Sequence, residues 1–137
     1  RSVNGFDESA EIVTAEDYDL WIRLAATKPT TVFIPEILGE FHRLSNSASS
    51  AVLRNLSSEK AVLRKHFAEQ SASVLTRLRQ RHRFAIADYG AARQLTSQPV
   101  QALKLFASSI RLSPFVFKIY PAVLILIFNS LIRRKKL

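Results

Sequence analysis

Only two short stretches of this chain carry strand signals, and that limits its fold more than any other feature. Thr31–Ile34 is β-branched and aromatic and reads as a strand. Ile37–Phe41 reads as a second. Two strands do not make an independently stable sheet. The sheet they would join is therefore expected upstream of Arg1. With Arg rather than Met at position 1, the sequence reads as a C-terminal fragment.

Helical patterning accounts for most of the rest. Asn4-Gly5 is a turn signal, and a helix is expected from near Thr14. Thr14 is placed to serve as N-cap, with Glu16 and Asp17 in a first turn where carboxylates favour the helix dipole. Leu20, Trp21, Leu24 and Ala25 follow at helical spacing as the apolar face. Lys28-Pro29 ends the helix, because the residue before Pro avoids helical angles. Residues 45–50 are a small polar loop.

From about Ala51 strand signals vanish. Leu56, Leu63 and Phe67 mark the face of one helix, and Leu75, Leu78, His82, Ala85 and Tyr89 that of the next. Pro99 opens a third helix at a good first position, with Leu103, Phe106, Ala107 and Ile110 as its face, and Pro114 closes it. Gly90, Ala102, Phe106 and Pro114 resemble in spacing the second half of a tetratricopeptide repeat, while Arg93 and Ser109 depart from it. A solenoid needs about three repeats, so a helical hairpin is the expectation. The expected fold class is an α/β remnant at 1–50 followed by an α-helical tail, mostly α in this chain. The tail divides into a helical hairpin or bundle extension at 51–113 and an apolar terminal helix with a basic end at 114–137.

Charge divides the chain at the same place. The net +9 hides 8 acidic and 4 basic side chains in residues 1–50, against 3 acidic and 16 basic in residues 51–137. A basic half suits nucleic acid, anionic lipid or an acidic partner. Nucleic acid is not expected, because the basic residues lack interleaved aromatics and no recognised nucleic-acid motif occurs. The stretch Pro114–Ile132 contains Lys118, Pro121 and Asn129, so its uninterrupted apolar run is only Ile119–Phe128. A spanning helix wants about 20 apolar residues. An interfacial or re-entrant helix, a packed helix and a marginal span remain open. Arg133-Arg134-Lys135-Lys136 suits an anionic cytoplasmic leaflet. An anionic membrane surface contacted through 114–137 is the expected partner, with the protein peripheral at the cytoplasmic face. The absence of Cys excludes a disulfide framework, a thiolate metal site and a Cys nucleophile.

One run is specific in order and spacing. Asn4-Gly5-Phe6-Asp7-Glu8 is followed by Glu16-Asp17-Tyr18-Asp19-Leu20-Trp21, then by Ile34-Pro35-Glu36-Ile37-Leu38 and a Ser-rich loop. This run resembles the C-terminal end of the catalytic domain in family 2 glycosyltransferases, which have the GT-A fold. The resemblance covers roughly residues 3–50. It implies an inverting transfer of a sugar from a nucleotide-sugar donor to a cell-envelope glycan or lipid-linked acceptor. By the same resemblance Asp17 is the catalytic base and Glu16 orients the acceptor or supports the loop.

The residues permit plainer roles beside these. Asp17 lies three, four and seven residues before Leu20, Trp21 and Leu24, which places it on the expected inward stripe, facing a cleft. A general base needs that reach to an acceptor hydroxyl. Glu16 and Asp17 also fit ordinary capping. Trp21 is either a core aromatic or a wall for sugar stacking. Asp7 and Glu8 suit loop acceptors or caps, with Asp7 also a candidate for substrate binding. The family's aromatic-Arg-x-His pattern stands here as Phe41-His42-Arg43-Leu44. Arg43 is either a diphosphate contact or a surface charge, and His42 a metal neighbour or a strand histidine. The family's nucleotide-binding half, which carries its Asp-x-Asp metal motif, has no counterpart in this sequence, and no Gly-rich phosphate loop occurs. The divalent cation (Mg or Mn) of the full enzyme is therefore expected to bind through other residues, and none in the fragment. A helical interaction or membrane-docking module without catalysis is the rival reading.

Overall fold

The computed structural model describes residues 3–40, 51–95 and 97–134, with side chains as far as Phe128. Five helices and no strand form among the described residues: α1 (Glu16–Ala26), α2 (Val52–Ala68), α3 (Val74–Gln94), α4 (Pro99–Leu112) and α5 (Ile119–Arg134). The chain divides into two compact units, 1–62 and 63–137, with the division inside α2.

In the first unit, a backbone turn leads into α1. The Ile12 N–H donates to Ser9 O at 3.2 Å and the Ala15 N–H to Ile12 O at 2.8 Å. This turn holds Thr14 at φ 82, in the left-handed region. An N-cap residue takes extended angles, so Thr14 does not cap the helix as its sequence position suggests. Ala15 takes the cap position at φ −136 without a side-chain bond. Glu16, Asp17 and Asp19 in the first turn and Arg23 in the last complement the helix dipole instead. The Thr27 hydroxyl and N–H both close on Leu24 O. Lys28 then turns left-handed at φ 53, ahead of Pro29.

The core of this unit is small. Ile12, Ala15 and Val62 are buried, with Tyr18, Ile22 and Ala61 packed against them. The Ser58 hydroxyl donates to Val13 O at 2.6 Å.

Residues 28–40 are neither helix nor strand. The expected strand at Thr31–Ile34 and the described part of Ile37–Phe41 do not form. Val32, Phe33, Ile34, Ile37 and Leu38 are all exposed. An extended segment needs a neighbour for its N–H and C=O groups, and no strand lies among the described residues to supply one. Phe41 and the polar loop at 45–50 lie outside the described residues. The helical part of the expected fold class is present; its α/β part is not seen among the described residues.

In the second unit, α3 starts on a true cap, with Ser73 Oγ accepting the Thr76 N–H at 3.0 Å. Helix α4 has Pro99 in its first turn and stops before Pro114. These two helices form an antiparallel hairpin. His82 Nδ1 lies 3.0 Å from Ser113 Oγ, Ser109 Oγ donates to Ala85 O at 2.5 Å, and Ser108 Oγ donates to Asp88 Oδ2 at 2.8 Å. Tyr89 meets Phe106 with ring centroids 6.2 Å apart. As numbers rise along α3, partners fall along α4.

The seam between them is built from small side chains. Ala85, Ala91, Ala92, Ala102 and Ser109 are buried there with Phe106 and Asp88. Leu75 and Leu78, expected on the packed face of α3, are exposed because α4 engages only the later part of that helix. Leu103 and Ala107 likewise lie outside the α4 seam. Helix α5 packs on α4 and buries Ile119 and Leu126. No helix among the described residues is long and apolar enough to cross a membrane.

Candidate functional site

The candidate residues of α1 occupy two opposite sides of that helix. Each residue turns the helix by about 100°, so Asp17 and Asp19 lie about 200° apart. Asp19 is fully buried and Asp17 is exposed. The stripe of Asp17, Leu20, Trp21 and Leu24 therefore does not face inward as expected. Trp21 is 67% exposed, and Leu20 and Leu24 are half-buried. The reason is a second apolar stripe, Ala15, Tyr18 and Ile22, which packs in the core that Ala61 and Val62 of α2 share. Both stripes are apolar in sequence, and α2 selects one.

Asp17 and Trp21 remain neighbours on the outward face, one turn apart. Asp17 Oδ1 accepts the Tyr18 N–H at 2.7 Å, so part of its carboxylate serves the open helix end. Glu16 is half-buried, and its Oε2 is shielded from solvent with no donor. Asp7 Oδ1 accepts the Ser9 N–H at 3.0 Å, an Asx turn that shapes the loop before the helix. Arg43 and His42 lie outside the described residues.

Arg23 ties this loop to the helix. Its Nε donates to Asp19 Oδ2 at 2.8 Å. Its Nη1 donates to Asn4 O at 2.6 Å and its Nη2 to Gly5 O at 2.8 Å. The guanidinium is planar and its donors are fixed in a fork, so one side chain sets the approach of the Asn4-Gly5 turn to α1. The sequence reading missed both Asp19 and Arg23. Their signal was present: an acid four residues before a base on a helix is the favourable pairing.

The outward face can therefore offer a carboxylate beside an indole. Such a pair can accept a hydroxyl hydrogen while an apolar sugar face lies on the ring. Among the described residues no group of three or more His, Asp or Glu side chains is placed to hold a metal ion. Comparisons of the chain with protein-family models, with curated proteins and with solved structures find no match.

Proposed function

We propose that the chain is the C-terminal part of an inverting glycosyltransferase. The observation that carries the reading is the ordered run from Asn4-Gly5 through Glu16-Asp17 to Ile34-Pro35. It is supported by the Arg23 fork, which joins the first two members of that run. On this reading residues 1–50 are the end of a GT-A domain, and nucleotide and divalent cation are held by residues outside this chain.

Asp17 is the base. Its carboxylate takes the proton from an acceptor hydroxyl as that oxygen bonds to the anomeric carbon of the donor sugar. The bond from that carbon to the leaving diphosphate oxygen breaks on the opposite side, so configuration inverts. Trp21 supports the acceptor ring, Glu16 orients it, and Asp7 shapes the loop beside it. Arg43 is assigned to the diphosphate. The acceptor is a cell-envelope glycan or a lipid-linked sugar, which places the protein peripherally at the cytoplasmic face of the membrane.

The test is transfer from nucleotide sugars by the complete polypeptide. Asp17→Asn is expected to lower turnover by about 10²–10⁴-fold, the usual worth of a general base. Retained turnover sinks the assignment. The 137 residues alone are expected to transfer nothing.

One observation favours a second reading, a helical interaction or membrane-docking module without catalysis. Helices and no strands form among the described residues, and large exposed apolar side chains gather at 115–128. Normal transfer by a polypeptide lacking residues 1–50, or no transfer by any polypeptide that contains the chain, favours this module.

A further inference from the structure

The second unit carries an apolar surface that its own packing does not use. Between α4 and α5 the chain turns through Pro114–Lys118. The turn is tied by Tyr120 Oη, which donates to Pro114 O at 2.9 Å, and by the Ile119 N–H, which donates to Val116 O at 3.0 Å. It buries Ser113 and Ile119 yet leaves Phe115 and Phe117 each 73% exposed. Along α5 the buried residues Ile119 and Leu126 define one narrow stripe, seven residues apart. Leu124, Ile125 and Phe128 are 68%, 60% and 63% exposed. A contiguous run of large exposed apolar side chains marks an interaction surface.

The charge around this surface has one sign. No Asp or Glu follows Asp88, whereas eight Lys and Arg do. Lys118 is exposed beside Phe117. Arg133-Arg134-Lys135-Lys136 follows the apolar run in sequence.

We propose that Phe115, Phe117, Leu124, Ile125 and Phe128, flanked by Lys118, dock the protein onto an anionic lipid bilayer, with α5 lying in the headgroup region. The charge selects this occupant. A second copy of the same surface would bring two wholly cationic segments together with no carboxylate between them. Anionic headgroups supply the missing counter-charge, and the acyl boundary covers the apolar face. Length sets the depth. Helix α5 has 16 residues, and at about 1.5 Å each it falls short of the roughly 30 Å hydrocarbon core. Tyr120 suits the interface, where amphipathic rings settle, and Phe115 and Phe117 suit the apolar side of an interfacial segment. This inference names the surface behind the peripheral placement given above and stands whether or not Asp17 is a base.

The experiment is flotation of the 137-residue chain with vesicles of phosphatidylglycerol and phosphatidylcholine in equal parts, and of phosphatidylcholine alone. The chain is expected to float with the anionic vesicles, about tenfold less in high salt and about tenfold less on neutral vesicles. Phe115→Ser with Phe117→Ser, and separately Leu124→Ser with Ile125→Ser, should each cut the bound fraction about tenfold with unchanged far-ultraviolet circular dichroism. The helical signal guards against mere unfolding, since all four side chains are exposed. No flotation with anionic vesicles, or flotation of both double variants undiminished from that of the unsubstituted chain, overturns the proposal. So does a dimer in solution that these substitutions dissociate, which would seat a second copy there. Resistance to alkaline carbonate extraction would mean a span and overturns the interfacial placement.

Discussion

Arg23 and Asp19 form an ion pair in which the carboxylate is fully buried and the guanidinium is 23% exposed, with Nε 2.8 Å from Oδ2. The remaining fork of Arg23 holds two backbone carbonyls of the Asn4-Gly5 turn. One side chain thus neutralises a buried acid and fixes a loop.

Removing the guanidinium should cost that buried acid its ion pair with Arg23. Arg23→Ala is expected to cost the first unit about 2–4 kcal/mol, toward the lower end of what breaking a buried pair costs, because the Arg is partly wet. Urea unfolding followed by Trp21 fluorescence reads this, since the chain's lone Trp lies in that unit. Limited proteolysis should also begin to cut near Asn4. A change below about 0.5 kcal/mol would place the pair among ordinary surface contacts.

Thr14 should be improvable. It is a β-branched residue at φ 82, and its Oγ1 is buried without a partner. Thr14→Gly removes both costs and is expected to stabilise the unit by about 1–2 kcal/mol. Destabilisation in the same urea measurement would mean that the hydroxyl has a partner in solution.

The register of α1 can be read from Trp21. Its side chain is exposed, so Trp21→Ala should change stability by less than about 0.5 kcal/mol. A core Trp would cost about 3–5 kcal/mol on the same substitution. Thermal unfolding followed by circular dichroism distinguishes the two.

The hairpin of the second unit depends on its small side chains. Ala102 and Ser109 are fully buried in the seam between α3 and α4. Ala102→Leu should overpack it and cost about 1–3 kcal/mol. Ser109→Ala, which loses the bond to Ala85 O, should cost about 1 kcal/mol and leaves that carbonyl without this donor. Both are measurable by denaturant unfolding followed by circular dichroism. A neutral Ala102→Leu would show the helices standing further apart than described.

The helix ends were the most legible feature of the sequence. Pro99, Pro114 and Lys28-Pro29 mark boundaries that the structure keeps, because proline limits backbone angles whatever surrounds it. Packing faces were less legible. Helix α1 carries two apolar stripes, and only α2 decides which is buried. On α3 the large apolar residues Leu75 and Leu78 are outside while alanines are inside. Periodicity weighs a leucine above an alanine, whereas close helix packing favours the smaller side chain. The strand expectation at Thr31–Ile34 failed for want of a partner strand, which no local pattern can supply. Of the candidate site, Asp17 was legible as a first-turn acid, but its outward direction was not. The Asp19–Arg23 pair is visible in sequence as an acid four residues before a base, but that spacing alone does not tell a buried pair from a surface one.

Asp17 faces outward and Asp19 faces inward on one helix turn, and the transferase reading gives chemistry to the first and structure to the second. The direct test compares Asp17→Asn with Asp19→Asn in the complete polypeptide, measuring stability and sugar transfer on the same samples. Asp17→Asn should leave stability within about 0.5 kcal/mol and lower turnover by about 10²–10⁴-fold with donor affinity unchanged. Asp19→Asn should cost about 1–3 kcal/mol, as expected when a hydrogen bond to a buried charge is weakened, while much of the turnover per folded molecule persists. Full transfer by Asp17→Asn, or a stability loss there as large as that of Asp19→Asn, would contradict the account.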